Sequence, residues 1–196
     1  MTHFAVTVCL PGTLTEDELD AGLGATLARY DIEREVEPYI EYTREELIAL
    51  GRRSSAWGGP PERAIWTDEQ VYDHWIKQYD TDEIGPGGEV YTTSNPEGQW
   101  DYWSIGGIFN PFWKVRGTPE SGPLPTDTAQ LRDIIRESLT STYAVIDLDG
   151  EWHQRRGGQW NAVADPAEVE EWRQTYEHII DMLPADSWLV QIDCHR

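Results

Sequence analysis

The chain has 196 residues, of which 36 are acidic and 15 are basic, so its formal net charge is −21. This charge excludes a protein that binds nucleic acid through a general basic surface, because contact with the phosphate backbone needs many Lys and Arg side chains. No apolar run approaches the roughly 20 residues of a membrane-spanning helix, and we expect neither a membrane segment nor a secretory signal. Two cysteines are too few for a disulfide scaffold and favour a reducing compartment, which predicts a cytoplasmic location.

The first elements are a strand and a helix. A strand is predicted over His3–Leu10, where one face carries apolar residues in strict alternation, and Pro11 ends it. Thr15 and Glu18 have the spacing of a capping box, which predicts the start of a helix. Three leucines follow that start at helical spacing: Leu19, Leu23 and Leu27.

Residues 31–95 are predicted to be an insertion that is helical in part. Two further capping boxes lie within it, Thr43 with Glu46 and Thr67 with Gln70, and each precedes apolar residues at helical spacing. Much of the rest is rich in acidic residues and glycine, which is typical of surface loops. We therefore expect residues 1–196 to form one domain that contains this insertion.

Strand character returns in the second half of the chain. Residues 103–108 and 111–116 predict strands or a hairpin, and apolar residues at helical spacing predict a helix over residues 127–139. Residues 143–148 and 151–154 flank an Asp-Gly pair, which is the strongest hairpin signal in the chain.

The last two elements complete the predicted fold. Asp165 followed by Pro166 predicts a helix start, with the aspartate as cap, and Trp188–His195 predicts a closing strand. This order of elements predicts an α+β fold. We expect a two-layer sandwich of a mostly antiparallel sheet with helices on one face, and a ferredoxin-like topology is one candidate.

Alternation in the closing strand places Asp193 and His195 on one face. If the first and last strands are neighbours, His3 and Thr7 join them on an open polar face. Two turn aspartates are further candidates for this face: Asp147 and Asp149. An aspartate with two histidines can bind a metal or move a proton, so Asp193, His195 and His3 are candidate catalytic residues. A solvated sheet end is the simpler interpretation, and we predict no metal and no other cofactor.

The chain has ten tryptophans, and its densest patch of unusual residue types lies around residues 95–107. Aromatic faces stack on flat ligands, an aspartate accepts hydrogen bonds, and glycine amides can reach a phosphate. These properties give six candidate ligand-binding residues: Trp100, Asp101, Tyr102, Trp103, Gly106 and Gly107. The same residues suit a protein interface or core packing. No standard catalytic motif is present.

Several stretches resemble a family of proteins encoded by bacteriophages, mainly phages and prophages of actinobacteria. The resemblance rests on these residues: Met1 to Val6, Leu27 to Tyr30, Val36 to Tyr39, Asn95 to Gly107, Asp149 to His153, and Asp193 to His195. The pattern expected after the two glycines is Arg-Trp, whereas Ile108 and Phe109 stand here. The resemblance implies a phage origin and an intracellular setting in a bacterial host, and it implies no particular reaction.

The resulting hypothesis is a phage accessory protein that acts by binding. It would counter host defence by capturing a small nucleotide-like ligand or by blocking a host protein. One alternative is an acidic mimic of nucleic acid that inhibits a host protein. Another is a metal-dependent nucleotide-processing enzyme that uses Asp193, His195 and His3. A homo-oligomeric scaffold is a third possibility.

Overall fold

The computed structural model describes residues 3–56, 65–109, 112–155 and 165–196. The strands within these ranges are β1 (His3–Leu10), β2 (Tyr39–Tyr42), β3 (Val90–Thr92), β4 (Tyr102–Ile105), β5 (Trp113–Val115), β6 (Leu124–Thr126), β7 (Thr128–Gln130), β8 (Ala144–Ile146), β9 (Trp152–Gln154) and β10 (Trp188–His195). The α-helices are α1 (Leu19–Leu27), α2 (Arg44–Ala56), α3 (Asp68–Trp75) and α4 (Pro166–Asp181). Of these helices, none has the length and apolar content needed to traverse a bilayer.

The chain forms two compact units. One contains the residues before Glu35 and after Asn95, and the other is Glu35–Asn95. The second unit lies within the predicted insertion, and the description of the whole chain as a single domain stays a prediction.

The first unit is built on a mixed sheet with the strand order β4-β10-β1-β8-β9, and β7 also pairs with β10. Antiparallel pairing of β1 with β10 runs over all eight residues of each strand, from His3 opposite His195 to Leu10 opposite Trp188. Strand β8 lies parallel to β1, and β9 returns antiparallel to β8 as the predicted hairpin. The condition for His3 to lie beside Asp193 and His195, that the first and last strands are neighbours, is therefore met.

Helices cover both faces of this sheet. On one face α1 packs with side chains of alternating positions along the central strands: Val6, Val8, Leu10, Val190, Ile192 and Cys194. On the other face α4 packs with the intervening positions: Cys9, Val145 and Leu189. The α4 residues in that second core are Trp172, Tyr176 and Ile180.

The α+β class is confirmed, whereas the predicted arrangement of two layers with helices on one face is wrong. Strands β1, β8 and β10 carry buried apolar residues on both of their faces, and such strands need cover on both sides. The ferredoxin-like candidate fails for the same reason, since that topology keeps both helices on one face.

The predicted helix over residues 127–139 is also wrong. This segment forms β7 and two short 3₁₀ turns, Leu131–Asp133 and Arg136–Ser138. Ala129 pairs with Leu189 at the sheet, and this pairing holds the start of the segment in an extended conformation. Strand β5 pairs with β6 rather than with β4. The predicted start of α4 is confirmed, because the Asp165 side chain accepts a hydrogen bond from the Ala167 amide.

The second unit contains the antiparallel pair β2–β3 and the helices α2 and α3. Both predicted capping boxes form: the Glu46 carboxylate accepts from the Thr43 amide, and Gln70 Oε1 accepts from the Thr67 amide. Its buried apolar residues include Leu47, Val71 and Val90.

Candidate functional site

Four polar side chains meet at the open end of the β1–β10 ladder. His3 lies directly opposite His195, and Asp193 is on the same face because it is two residues from His195. Asp101 comes immediately before β4, the strand that flanks β10 on its other side. Three of these four residues were predicted to lie together, and the structure brings them together as His3, Asp193 and His195.

Asp193 holds His3 through the ring nitrogen Nδ1, at 2.9 Å from Oδ1 and 3.1 Å from Oδ2. The carboxylate is only 4% exposed, and its Oδ2 also accepts a hydrogen bond of 3.1 Å from the Ile108 amide. The 3₁₀ turn Gly107–Phe109 supplies that amide. Gly107 has φ of +56°, and a Cβ there would lie 2.3 Å from Asp193 Cβ. A glycine at this position therefore lets the turn close over the carboxylate.

Asp101 holds His195 in the same way. Its Oδ1 lies 2.6 Å from His195 Nδ1, and its amide donates to the His195 carbonyl at 3.0 Å. The two imidazole rings meet edge to face, with their centroids 5.1 Å apart. Each histidine thus has its own carboxylate, and the two pairs are adjacent.

This geometry determines which nitrogen of each ring is available for chemistry. A carboxylate accepts hydrogen bonds, so it places the ring proton on Nδ1 and leaves Nε2 with a lone pair. Within the described ranges neither Nε2 atom has a hydrogen-bond partner. The arrangement of a carboxylate, an imidazole Nδ1 and an available Nε2 is the one that orients histidine bases in enzymes. In the described ranges no three His, Cys, Asp or Glu side chains converge as ligands of one metal ion.

Thr7 and the turn aspartates do not belong to this cluster, contrary to the prediction. Thr7 is buried beneath α4, where its hydroxyl lies 3.0 Å from both Thr142 Oγ1 and Tyr176 Oη. Asp147 pairs instead with His153 in the β8–β9 hairpin, at 2.7 Å from Nε2. Its other oxygen accepts from the amide of Asp149 and shapes the turn.

The aromatic candidates divide between packing and the site. Trp100 is 8% exposed and its indole nitrogen donates to the Leu27 carbonyl at 3.2 Å, so its ring is a core side chain with no face open to a ligand. Trp103 packs against the same core. Tyr102, in contrast, is 61% exposed and lies opposite His195. The Gly106 amide donates to the Gln191 carbonyl at 2.9 Å and is therefore already used within the fold.

Sequence reasoning missed the roles of two further residues. The Ile108 amide binds Asp193, and the fully buried Gln191 donates through Nε2 to the Gly106 carbonyl at 3.4 Å. For Gln191, the sequence signal was a glutamine in an otherwise apolar stretch of the closing strand. The pairing of Asp101 with His195 had no such signal, because it depends on the register between β4 and β10.

Cys194 lies between the two site residues of β10 but points to the α1 face. Burial raises the pKa of its thiol well above the ordinary range, and the charge of Asp193 adds to this effect. The thiol is therefore a core group and not a nucleophile of the site.

Comparison of the chain with protein-family models, with curated proteins and with solved structures finds no match. Three of the stretches on which the predicted resemblance rests contribute residues to this one cluster. They supply His3, Asp101 with Gly107, and Asp193 with His195.

Proposed function

We propose that the protein is an enzyme whose chemistry is general acid–base catalysis by His3 and His195. The observation that carries this proposal is the pair of carboxylate-held imidazoles, with ring centroids 5.1 Å apart and both Nε2 atoms available. A carboxylate on Nδ1 fixes the ring orientation and stabilises the imidazolium when it forms.

Two such imidazoles can divide one reaction between them. The neutral Nε2 of one ring takes a proton from an attacking hydroxyl or water, and the protonated Nε2 of the other gives a proton to the leaving group. The reacting groups lose one proton to the first ring and receive one from the second, so their net charge does not change. Proton exchange with solvent then returns both rings to their starting protonation states. Each such transfer typically contributes about 10²–10⁴-fold in rate.

Capture of a flat nucleotide-like ligand has less support from the geometry. The two tryptophans of the predicted platform are in the core (Trp100) or packed against it (Trp103), and the Gly106 amide is already bonded. The cellular setting in this proposal is the cytoplasm of a bacterial host, as the resemblance to phage proteins implies.

A test that needs no substrate is ¹⁵N NMR of the histidine rings in the uniformly labelled protein. In their neutral forms, we expect His3 and His195 to carry the ring proton on Nδ1. His153 is the internal control for tautomer assignment, because Asp147 holds it through Nε2 and its proton should lie on that nitrogen. A neutral ring of either site histidine with its proton on Nε2 and none on Nδ1 would contradict the proposal.

A second test measures turnover of a panel of chromogenic esters, amides and phosphodiesters. We expect His3→Gln and His195→Gln each to lower the rate on any accepted substrate by at least about 100-fold, since each removes one proton transfer. His153→Gln is the matched control, because it removes a carboxylate-paired histidine outside the cluster. Equal rates in all three variants would contradict the proposal.

A further inference from the structure

Strand β4 is an edge of the sheet. Within the described residues it pairs only with β10, and the short parallel bridge between Asp31 and Trp100 ends before it begins. The Gly106 amide points towards β10, where it donates to the Gln191 carbonyl. Because backbone groups alternate in direction along a strand, the Ile105 amide points away from β10.

Exposed side chains with large apolar surfaces lie on β4 and in the 3₁₀ turn that follows it. Tyr102, Ile105 and Ile108 are 61%, 41% and 68% exposed. Tyr102 shares the face of His195, whereas Ile105 shares the face of Ile192 and α1. Natural edge strands are usually protected by charge, proline or a covering element, so an apolar and unpaired edge is typical of a surface that accepts another strand.

The charge of the surroundings restricts what can bind there. The chain has a net charge of −21, and the adjoining site contains the two carboxylates of Asp101 and Asp193. Among the described residues, the basic side chain nearest in sequence to Asp193 is Arg196, which directly follows His195 and is exposed. A second copy of the chain would bring the same negative charge, whereas a basic segment would complement it.

We infer that β4 binds an extended segment of a partner protein, with alternating apolar and basic residues, as an added strand. Strand addition pairs the backbone of the segment with the outward-pointing groups of β4, and its side chains alternate between the two faces of the sheet. Those on the face of Tyr102 project beside Tyr102, with β4 between them and His195, and with β4 and β10 between them and His3. This inference goes beyond the proposed function, because it assigns a partner-binding edge next to the site and not the substrate of the two histidines.

The test uses a fluorescein-labelled heptapeptide that alternates valine and arginine, titrated into the full-length protein and followed by fluorescence anisotropy. Ile105→Pro removes the outward amide but leaves the pairing with β10, since a proline is tolerated where the amide faces solvent. We expect it to weaken binding at least tenfold. Ile105→Ala keeps the amide and removes only the side chain, so it should weaken binding less than Ile105→Pro does.

Circular dichroism establishes that each variant is folded, and Ile105→Lys replaces Ile105→Pro if the latter does not fold. A lysine at the edge repels the basic peptide and is a natural means of blocking strand addition. Unchanged binding in the blocking variant would overturn the inference, as would absence of binding to the unaltered protein. Equal affinity for a valine–glutamate heptapeptide would overturn the assignment of a basic partner. Self-association that Ile105→Pro abolishes, measured by sedimentation velocity, would replace the partner by a second copy.

The two proposals fail separately. The double variant His3→Gln, His195→Gln is expected to bind the valine–arginine peptide within threefold of the unaltered protein, because β4 is unchanged. Retained binding together with the wrong histidine tautomers would overturn only the catalytic proposal. Correct tautomers without peptide binding would overturn only the strand-addition inference.

Discussion

The two faces of the central sheet use the same pair of strands for different purposes. On the α1 face, β1 and β10 present only apolar side chains and a buried thiol, from Val6 and Val8 to Cys194. On the α4 face the same strands begin with Cys9 and Leu189, continue with the buried Thr7 and Gln191, and end with His3, Asp193 and His195.

This difference shows how one ladder combines stability with chemistry. An uninterrupted apolar face against α1 gains stability from burial alone. Each polar side chain on the other face instead needs a partner, because an unpaired buried polar group is costly. Thr7 finds Tyr176 and Thr142, and Asp193 finds His3 and the Ile108 amide.

The largest expected effect of a single substitution is on the α1 face. Leu23 is fully buried there, so Leu23→Ala removes apolar contacts and leaves a cavity. We expect it to lower the free energy of unfolding by about 3 kcal/mol in guanidinium titrations and to leave the histidine tautomers unchanged. The exposed Met182 provides a control, since Met182→Ala should change stability by less than about 0.5 kcal/mol. Altered tautomers in Leu23→Ala would mean that the two faces are coupled.

Alkaline pH is expected to weaken both faces. Burial raises the pKa of Cys9 on the α4 face and of Cys194 on the α1 face, with smaller contributions from the nearby aspartates Asp147 and Asp193. A raised pKa in the folded state stabilises fully below the ordinary thiol pKa, and that stabilisation is lost as the pH rises above it. Unfolding at pH 10 should therefore be easier by about 2 kcal/mol for each thiol, since the ordinary value is about 8.5.

Denaturation at pH 7 and pH 10 measures this effect. The two thiols together cause part of the loss of unfolding free energy between pH 7 and pH 10. Cys9→Ala and Cys194→Ala should each remove roughly half of that part. Tyr176 extends the trend to higher pH, because burial raises its pKa as well, in spite of the hydrogen bond with Thr7. Stability that is unchanged up to pH 10 would contradict the burial of both thiols.

Asp193→Asn separates charge from shape at the site. The introduced amide presents an N–H group either to His3 Nδ1 or to the Ile108 amide, and donor then faces donor. We expect a loss of about 1.5 kcal/mol in unfolding free energy and a mixture of His3 tautomers in ¹⁵N spectra. Asp147→Asn is the matched variant, because it should disturb His153 and leave His3 unaffected.

The smallest effect is expected for the polar layer beneath α4. Thr7→Val keeps the shape but removes the hydroxyl that lies 3.0 Å from Tyr176 Oη. The expected loss is about 1 kcal/mol, measured by the same guanidinium titrations. Thr175→Val on the exposed side of α4 should cost less than half as much, and equal losses would show that the buried layer contributes no more than a surface hydroxyl.

The central ladder could be predicted from the sequence because strict alternation over eight residues determines which side chains of each strand share a face. The placement of α4 could not. The strand residues beneath α4, such as Cys9 and Leu189, share their sheet face with polar side chains. In the sequence this face therefore looks polar, although the half of it that α4 covers is buried. Only the packing of Trp172 and Tyr176 reveals that this half needs cover.

The candidate site was predictable in part for the same reason. His3, Asp193 and His195 follow from strand alternation together with the pairing of the first and last strands. Asp101 depends on the register between β4 and β10, which no local pattern specifies. Gly107 was predicted as a ligand contact, but its role is steric, because it makes room for the Asp193 carboxylate.

The pairing of His3 with His195 also has a consequence for biosynthesis. Strand β1 is the first described element to leave the ribosome, and β10 is the last. Most of the chain is therefore translated while the apolar side chains of β1 lack their principal partner strand. Folding that depends on such distant contacts is slow and exposes aggregation-prone strand edges. We expect ribosome-bound chains stalled before Trp188 to be digested rapidly by protease, and protection to appear only after β10 has emerged.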